Sequence, residues 1–186
     1  MGVDNEIKQK AVFLDRDGVI NKAIIVGSKP FPPSSITELE ILEGVESGIE
    51  KLKIAGFKVF VVTNQPDVAR GKTSIASILE INEYLQNKLR IDEIYCCFHD
   101  GPDDCSCRKP KPGMILDLAS RWNINLSESF LIGDRWRDIL SAKNAGVSSI
   151  LIDYNYDEHY ETPDFTSTNF EHAINYILKP LNSQSK

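Results

Sequence analysis

Residues Ala11–Asn21 read AVFLDRDGVIN, and the fold turns on how this stretch is taken. Four apolar residues, Ala11 to Leu14, run without a polar break into Asp15 and Asp17, with Gly18 behind them. A short apolar run bounded by polar residues suits a strand buried on both faces of a parallel sheet. Acids at its end close either a plain turn or a site that handles charge, and the rest of the chain separates the two.

Further along, Val45, Ile49 and Leu52 recur at helical spacing with Gly56 as a stop. KVFVVTN (58–64) is a second strand; Ile75, Ile78, Leu79, Leu85 and Leu89 are assigned to one face of a helix; EIYCCF (93–98) is a third strand. Pro112 suits the opening of a helix, where a missing N–H costs nothing, and Met114, Ile115, Leu118, Ala119 and Trp122 form its apolar stripe. SFLIGD (129–134) and SSILID (148–153) are two more strands, joined by a helix that runs from Trp136 to a stop at Gly146. Strands alternating with helices predict an α/β fold, a Rossmann-like doubly wound parallel sheet with helices on both faces. Ligands in such sheets bind beyond the carboxyl ends of the strands. Asp15, Asp17, Thr63, Asn64 and Asp134 all fall at those ends.

No internal repeat or low-complexity linker is present, so one domain spanning 1–186 is expected, with its core over about 9–179 and frayed ends. GSKPFPPSS (27–35) is a Pro-rich loop that either borders the site or only connects. The formal net charge of −6 disfavours a general grip on nucleic acid, while one local basic pocket is enough for a phosphorylated small molecule. MGVDNEIKQK carries no apolar signal core, Glu6 replaces the Ser or Thr a myristoylated Gly2 requires, and no apolar run nears the ~20 residues of a membrane span. A cytoplasmic monomer is expected. His159 and His172 read as surface or packing residues, and DYNYDEHY (153–160) as a packing loop.

Phosphate esters repel nucleophiles, so their cleavage calls for a nucleophile, a cation and an acid. Asp15 and Asp17 offer nucleophile and acid, and Gly18 permits close ligand approach. Asp134 adds a hard oxygen; with so few carboxylates the set suits Mg2+. Thr63 can hydrogen-bond a phosphoryl oxygen and Lys109 can neutralise it. Asp138 can pair with Lys109, support the metal, or cap a helix.

The four cysteines crowd into CCFHDGPDDCSCRKP (96–110). Cys97-x-His99 and Cys105-x-Cys107 offer three thiolates and an imidazole, a set that closes a tetrahedral structural Zn2+ site in a loop over 97–107. Buried or oxidised thiols are the plainer alternative. Cys96 reads as a strand residue facing away from the ligands. A nucleic-acid-binding zinc module fits poorly with the acidic balance.

FLDRDGVIN resembles the first motif of the haloacid dehalogenase superfamily, with Asp at both positions as in its phosphatases. VVTNQ, CRKPKPGM and LIGDRWRDI are similar to its second, third and fourth motifs, in order. The resemblance implies that Asp15 forms an aspartyl-phosphate and that Asp17 protonates the leaving alkoxide and then activates water. It implies Mg2+ held by Asp15, Asp134 and the backbone carbonyl of Asp17, with Thr63 and Lys109 steadying the transferring group. The cysteine loop ahead of RKP is similar to that of the heptose bisphosphate and histidinol-phosphate phosphatases, which lack a large cap domain. TNQPDVARG and RKPKPGM are similar to the sugar enzymes, implying D-glycero-D-manno-heptose 1,7-bisphosphate cut at its 7-phosphate, with Asn64, Gln65 and Arg108 contacting the sugar bisphosphate.

Three features depart from that pattern. Five residues separate His99 from Cys105, as in the histidinol-phosphate type; Arg135 stands where the heptose enzymes tend to have Lys; and KAIIVGSKPFPP (22–33) lacks their Asp-x-Gly-Tyr stretch. A histidinol-phosphate phosphatase therefore stands beside the heptose reading. From other classes, a phospho-accepting receiver module and a catalytically silent relative stand against it. A receiver needs its acceptor Asp at the third strand, where this chain has CCFHD.

Overall fold

Strand β1 (Ala11–Leu14) is buried along its whole length, and its side chains alternate between two cores. Val12 and Leu14 pack with Val59 and Val61 of β4 (Lys58–Asn64) against helices α1 (Val45–Ile54), α2 (Ile75–Leu89) and α5 (Phe170–Leu178). Ala11 and Phe13 pack with Phe60 and Val62 against α3 (Gly113–Arg121) and α4 (Trp136–Ala145). The computed structural model describes residues 8–26, 29–158 and 161–179. Gly2, Gly27 and His159 lie outside them, as do the terminal residues before 8 and after 179.

The main sheet has the order β5-β4-β1-β6-β7-β8, with β5 at Glu93–Cys97, β6 at Phe130–Gly133, β7 at Ser148–Ile152 and β8 at Phe165–Ser167. Every pairing in it is parallel. The chain leaves central β1 toward β4 and β5, then returns to β6 on the other side. This is the expected doubly wound sheet, and its switch point opens between β1 and β6. Between β1 and α1 the described chain holds a small antiparallel ribbon, β2 (Ile24–Val26) with β3 (Lys29–Phe31), and one 3-10 turn, Ile36–Glu38. Among the described residues no large cap stands over the site.

Three readings need correction. Ile75 and Leu79 of α2 are exposed; the face that packs inward carries Ile78, Ile81, Leu85 and Leu89. At about 100° per residue, Ile81 rather than Leu79 continues the stripe from Ile78 to Leu85. Part of the Pro-rich stretch is strand: Pro30 sits opposite Ile25 in the ribbon, where either strand is an edge and a missing N–H is tolerated. The chain also continues past the fifth predicted strand into β8 and α5. Asn169 caps α5 by accepting from His172 N at 2.8 Å, and Phe170, Ala173, Ile174 and Ile177 form its buried stripe. The cap and the i, i+3, i+4, i+7 pattern were both legible. His172 packs edge-on against Phe165, as expected for a packing residue.

Candidate active site and metal centre

Adjacent strands β1 and β6 end in acids, and both reach one cleft of about 210 Å3 that Thr63 and Lys109 also line. The peptide after β1 is held in register by Asp15 N donating to Ile132 O at 2.9 Å. Lys109 enters almost fully buried, its Nζ 2.8 Å from Asp15 Oδ1, 2.6 Å from Asp138 Oδ1 and 2.8 Å from Val62 O. Burial opposes its charge, yet Asp138 and Asp15 outweigh that, so its pKa stands above the usual lysine value. Asp138 also serves α4, where its Oδ2 accepts from Arg135 N at 3.1 Å and caps the first turn. Pairing and capping, left open by the sequence, are both realised.

The acids carry more negative charge than Lys109 neutralises. Burial, against the pull of Lys109 and with repulsion from Asp138 and Asp17, raises the Asp15 pKa to about 7. Burial and then Asp15 and Asp138 push Asp134 well above the carboxylate range. Asp15, Asp134 and Asp138 each bring one oxygen within 4.8 Å of the others, and buried Asp134 Oδ1 has no hydrogen-bond partner among the described residues. Gly18 has φ +90°, and a Cβ there would lie 2.2 Å from Asp134 Oδ2. A backbone shaped to admit a carboxylate with a free oxygen fits a small divalent cation, which takes few protein carboxylates.

Asp17 projects differently. Its carboxylate accepts from Arg16 Nε and Nη2 at 3.1–3.2 Å, from Asn21 Nδ2 at 3.0 Å and from Gln65 Nε2 at 2.7 Å. Arg16 is wholly buried and donates onward to Asn82 Oδ1 at 3.0 Å. The Asp17 carboxylate is thus outside the cation cluster, while Asp17 still lines the cleft.

The cysteine loop forms a second cluster. Cys97 Sγ lies 3.8 Å from Cys105 Sγ and 3.2 Å from Cys107 Sγ, and His99 Nδ1 lies 3.5 Å from Cys97 Sγ and 3.4 Å from Cys107 Sγ. A tetrahedral ion about 2.3 Å from sulfur and about 2.0 Å from nitrogen separates its ligands by roughly 3.5–3.8 Å. The thiols are unpaired. Donor chemistry and spacing both fit Zn2+. Cys96 stays out of the cluster and accepts from Asn82 Nδ2 at 2.9 Å.

A family model described as haloacid dehalogenase-like hydrolase matches residues 32–152. A D-glycero-beta-D-manno-heptose-1,7-bisphosphate 7-phosphatase of Helicobacter pylori is 36% identical over 151 residues, covering 77% of this chain and 83% of that protein. The chain belongs to the haloacid dehalogenase-like hydrolases. A protein of the same name from Rhodopseudomonas palustris is 39% identical over 153 residues, covering 75% of this chain and 81% of its own. Among solved structures, the D,D-heptose 1,7-bisphosphate phosphatase of B. bronchiseptica, complexed with magnesium and phosphate, superposes with a TM-score of 0.80. Its sequence is 29% identical, and the match covers 91% of this chain and 98% of that one.

In this haloacid dehalogenase-like hydrolase, two of the three expected substrate contacts, Asn64 and Arg108, line the cleft, and Gln65 lies buried outside its lining. Gln65 is fully buried and bridges the machinery from behind, donating to Asp17 Oδ2 at 2.7 Å and to Thr63 Oγ1 at 2.9 Å. In that second bond the Thr63 hydroxyl accepts, and its hydrogen can still be donated. Asn64 borders the cleft, but its amide is committed: Nδ2 donates to Lys109 O and Oδ1 accepts from Lys109 N, both at 3.0 Å. Both side chains tie candidate site residues in place: Asn64 holds the Lys109 backbone, and Gln65 links Asp17 to Thr63. Arg108 does face the cleft, steadied by donating to His99 O at 3.0 Å.

Proposed function

We propose that the chain is a Mg2+-dependent phosphomonoesterase that removes the 7-phosphate of D-glycero-D-manno-heptose 1,7-bisphosphate. The observation that carries this reading is the meeting of the Asp15, Asp134 and Asp138 carboxylates around Lys109 at the mouth of a polar cleft. The names of its relatives support the substrate. Asp15, Asp134 and the Asp17 carbonyl would hold the Mg2+. The bound ion supplies countercharge to the phosphoryl oxygens.

Asp15 is the nucleophile; its attack on phosphorus forms an aspartyl-phosphate and breaks the bond to the sugar oxygen. Lys109 holds the Asp15 carboxylate in place while Lys109 and the Thr63 hydroxyl balance charge on the transferring group. Asp17 turns from its buried donors toward the cleft, gives its proton to the leaving alkoxide, then takes one from the water that hydrolyses the acyl-phosphate. Arg108 grips the substrate. Zn2+ on Cys97, His99, Cys105 and Cys107 would fix the loop that delivers Arg108 and Lys109. We read the chain as one catalytic domain working as a cytoplasmic monomer, without nucleic acid or membrane. Among the described residues no helix is long and apolar enough to cross a bilayer.

Phosphate release assays test the reading. Release should require Mg2+ and fall by at least about a thousandfold in Asp15→Asn; wild-type turnover in that variant would remove the assigned nucleophile. A comparison of kcat/KM for the heptose bisphosphate and histidinol phosphate decides the substrate, and a preference for the latter would overturn the sugar.

A further inference from the structure

Among the described residues the cleft is lined by five cations, Arg70, Arg108, Lys109, Arg135 and Arg137, and four of them are engaged. Lys109 is paired with Asp15 and Asp138. Arg70 grips Asp100 through two contacts of 2.7 Å, Arg135 is paired with Glu158, and Arg108 donates to His99 O with Asp100 at 3.8 Å. Arg137 has no ion pair or hydrogen bond among the described residues; its guanidinium lies 4.7 Å from the Trp136 ring centroid.

That placement is locally unfavourable. Arg137 sits in the first turn of α4, where the helix dipole disfavours a cation. It is half-buried, and burial together with its neighbours Arg108 and Arg135 outweighs the pull of Glu158 and Asp138 and presses its pKa below the usual arginine value. Glu158, an acid that would favour its charge, is already paired with Arg135. A side chain kept in a cleft against helix polarity, burial and like charge marks a position shaped by a ligand rather than by the fold. A phosphate dianion between Arg137 and Arg108 would offset the like charge, suit the helix N-terminus and give the half-buried guanidinium charge-assisted, bidentate hydrogen bonds.

We infer that Arg137, acting with Arg108, seats the second, uncut phosphate of the substrate and so makes the enzyme selective for a bisphosphate. This rests on the phosphatase reading above and adds a specificity-determining residue to it.

The test is the ratio of kcat/KM for heptose 1,7-bisphosphate to that for p-nitrophenyl phosphate, which has no second anion. In Arg137→Gln this ratio falls about tenfold or more, carried mainly by KM for the bisphosphate, and Arg137→Lys recovers part of it. A ratio held at the wild-type value overturns the inference. If the wild-type enzyme shows no preference for the bisphosphate, the substrate reading fails, and inhibition of p-nitrophenyl phosphate hydrolysis tests the seat separately. Glucose 1,6-bisphosphate inhibiting more strongly than glucose 6-phosphate, with the difference lost in Arg137→Gln, keeps the seat. Equal inhibition by the two removes it.

Discussion

Asp15 and Asp134 are acids that the fold holds at a cost to their charged forms. Their folded pKa values stand above those of free carboxylates, so the metal-free fold holds these protons more tightly than the unfolded chain does. The stability they contribute is complete below about pH 4, the unfolded value, and for Asp15 is lost as pH rises through about 7. Calorimetry in metal-free buffer should therefore give a Tm that falls between pH 5 and 7.5, and Mg2+ should raise Tm more at pH 7.5 than at pH 5. Asp134→Asn should raise the metal-free Tm at pH 7.5 by a few degrees, a gain on the order of 1 kcal/mol. A lower Tm would mean that Asp134 holds the fold together rather than straining it. The acids themselves were legible because an apolar run that stops at a strand end leaves them little choice of place. The bonds that Asn64 and Gln65 make were not, since sequence does not say which partners an amide takes. Asn64→Ala should lower kcat about tenfold to a hundredfold with little change in KM, because Lys109 loses its clamp while the substrate keeps its contacts. A rise in KM alone would restore Asn64 to the role of substrate contact.

At the scale of elements, the loop from Cys97 to Cys107 decides how the cleft is walled. Its backbone is tied at several points: Lys111 Nζ donates to Cys105 O at 2.8 Å, and Gly113 N to Ser106 O at 3.2 Å. It contributes little apolar packing of its own, so bound metal should supply much of its order. Incubation with a strong Zn2+ chelator should expose titratable thiols, lower Tm and reduce turnover, with Mg2+ alone failing to restore it. Unchanged activity after the metal is stripped would show that the loop stands without it. That these four donors would gather was readable because tetrahedral chemistry permits few patterns. The β2–β3 ribbon, β8 and α5 went unassigned for different reasons. Three-residue strands are too short to display a period, a proline in the ribbon reads as loop, and α5 lies past the point where the strand–helix alternation was counted. The error in α2 was one of phase, since apolar residues spread along a 15-residue helix allow more than one stripe.

For the molecule as a whole, alternation of strand and helix was enough to predict the doubly wound sheet, because few topologies bury strands on both faces. What it could not give was the order of the strands. That order sets Leu14 of β1 opposite Ile132 of β6, far away in the chain, and brings their terminal acids into one cleft. Such a parallel sheet can close only after long crossovers are complete, a slow route for a folding chain. The candidate site makes the same demand, since the Asp15, Lys109 and Asp138 cluster draws on strand end, loop and helix from separate stretches. Turnover is accordingly a clock for the last event in refolding: after dilution from denaturant, far-ultraviolet ellipticity should recover ahead of phosphate release, and no proteolytic fragment lacking either half of the sheet should hydrolyse anything.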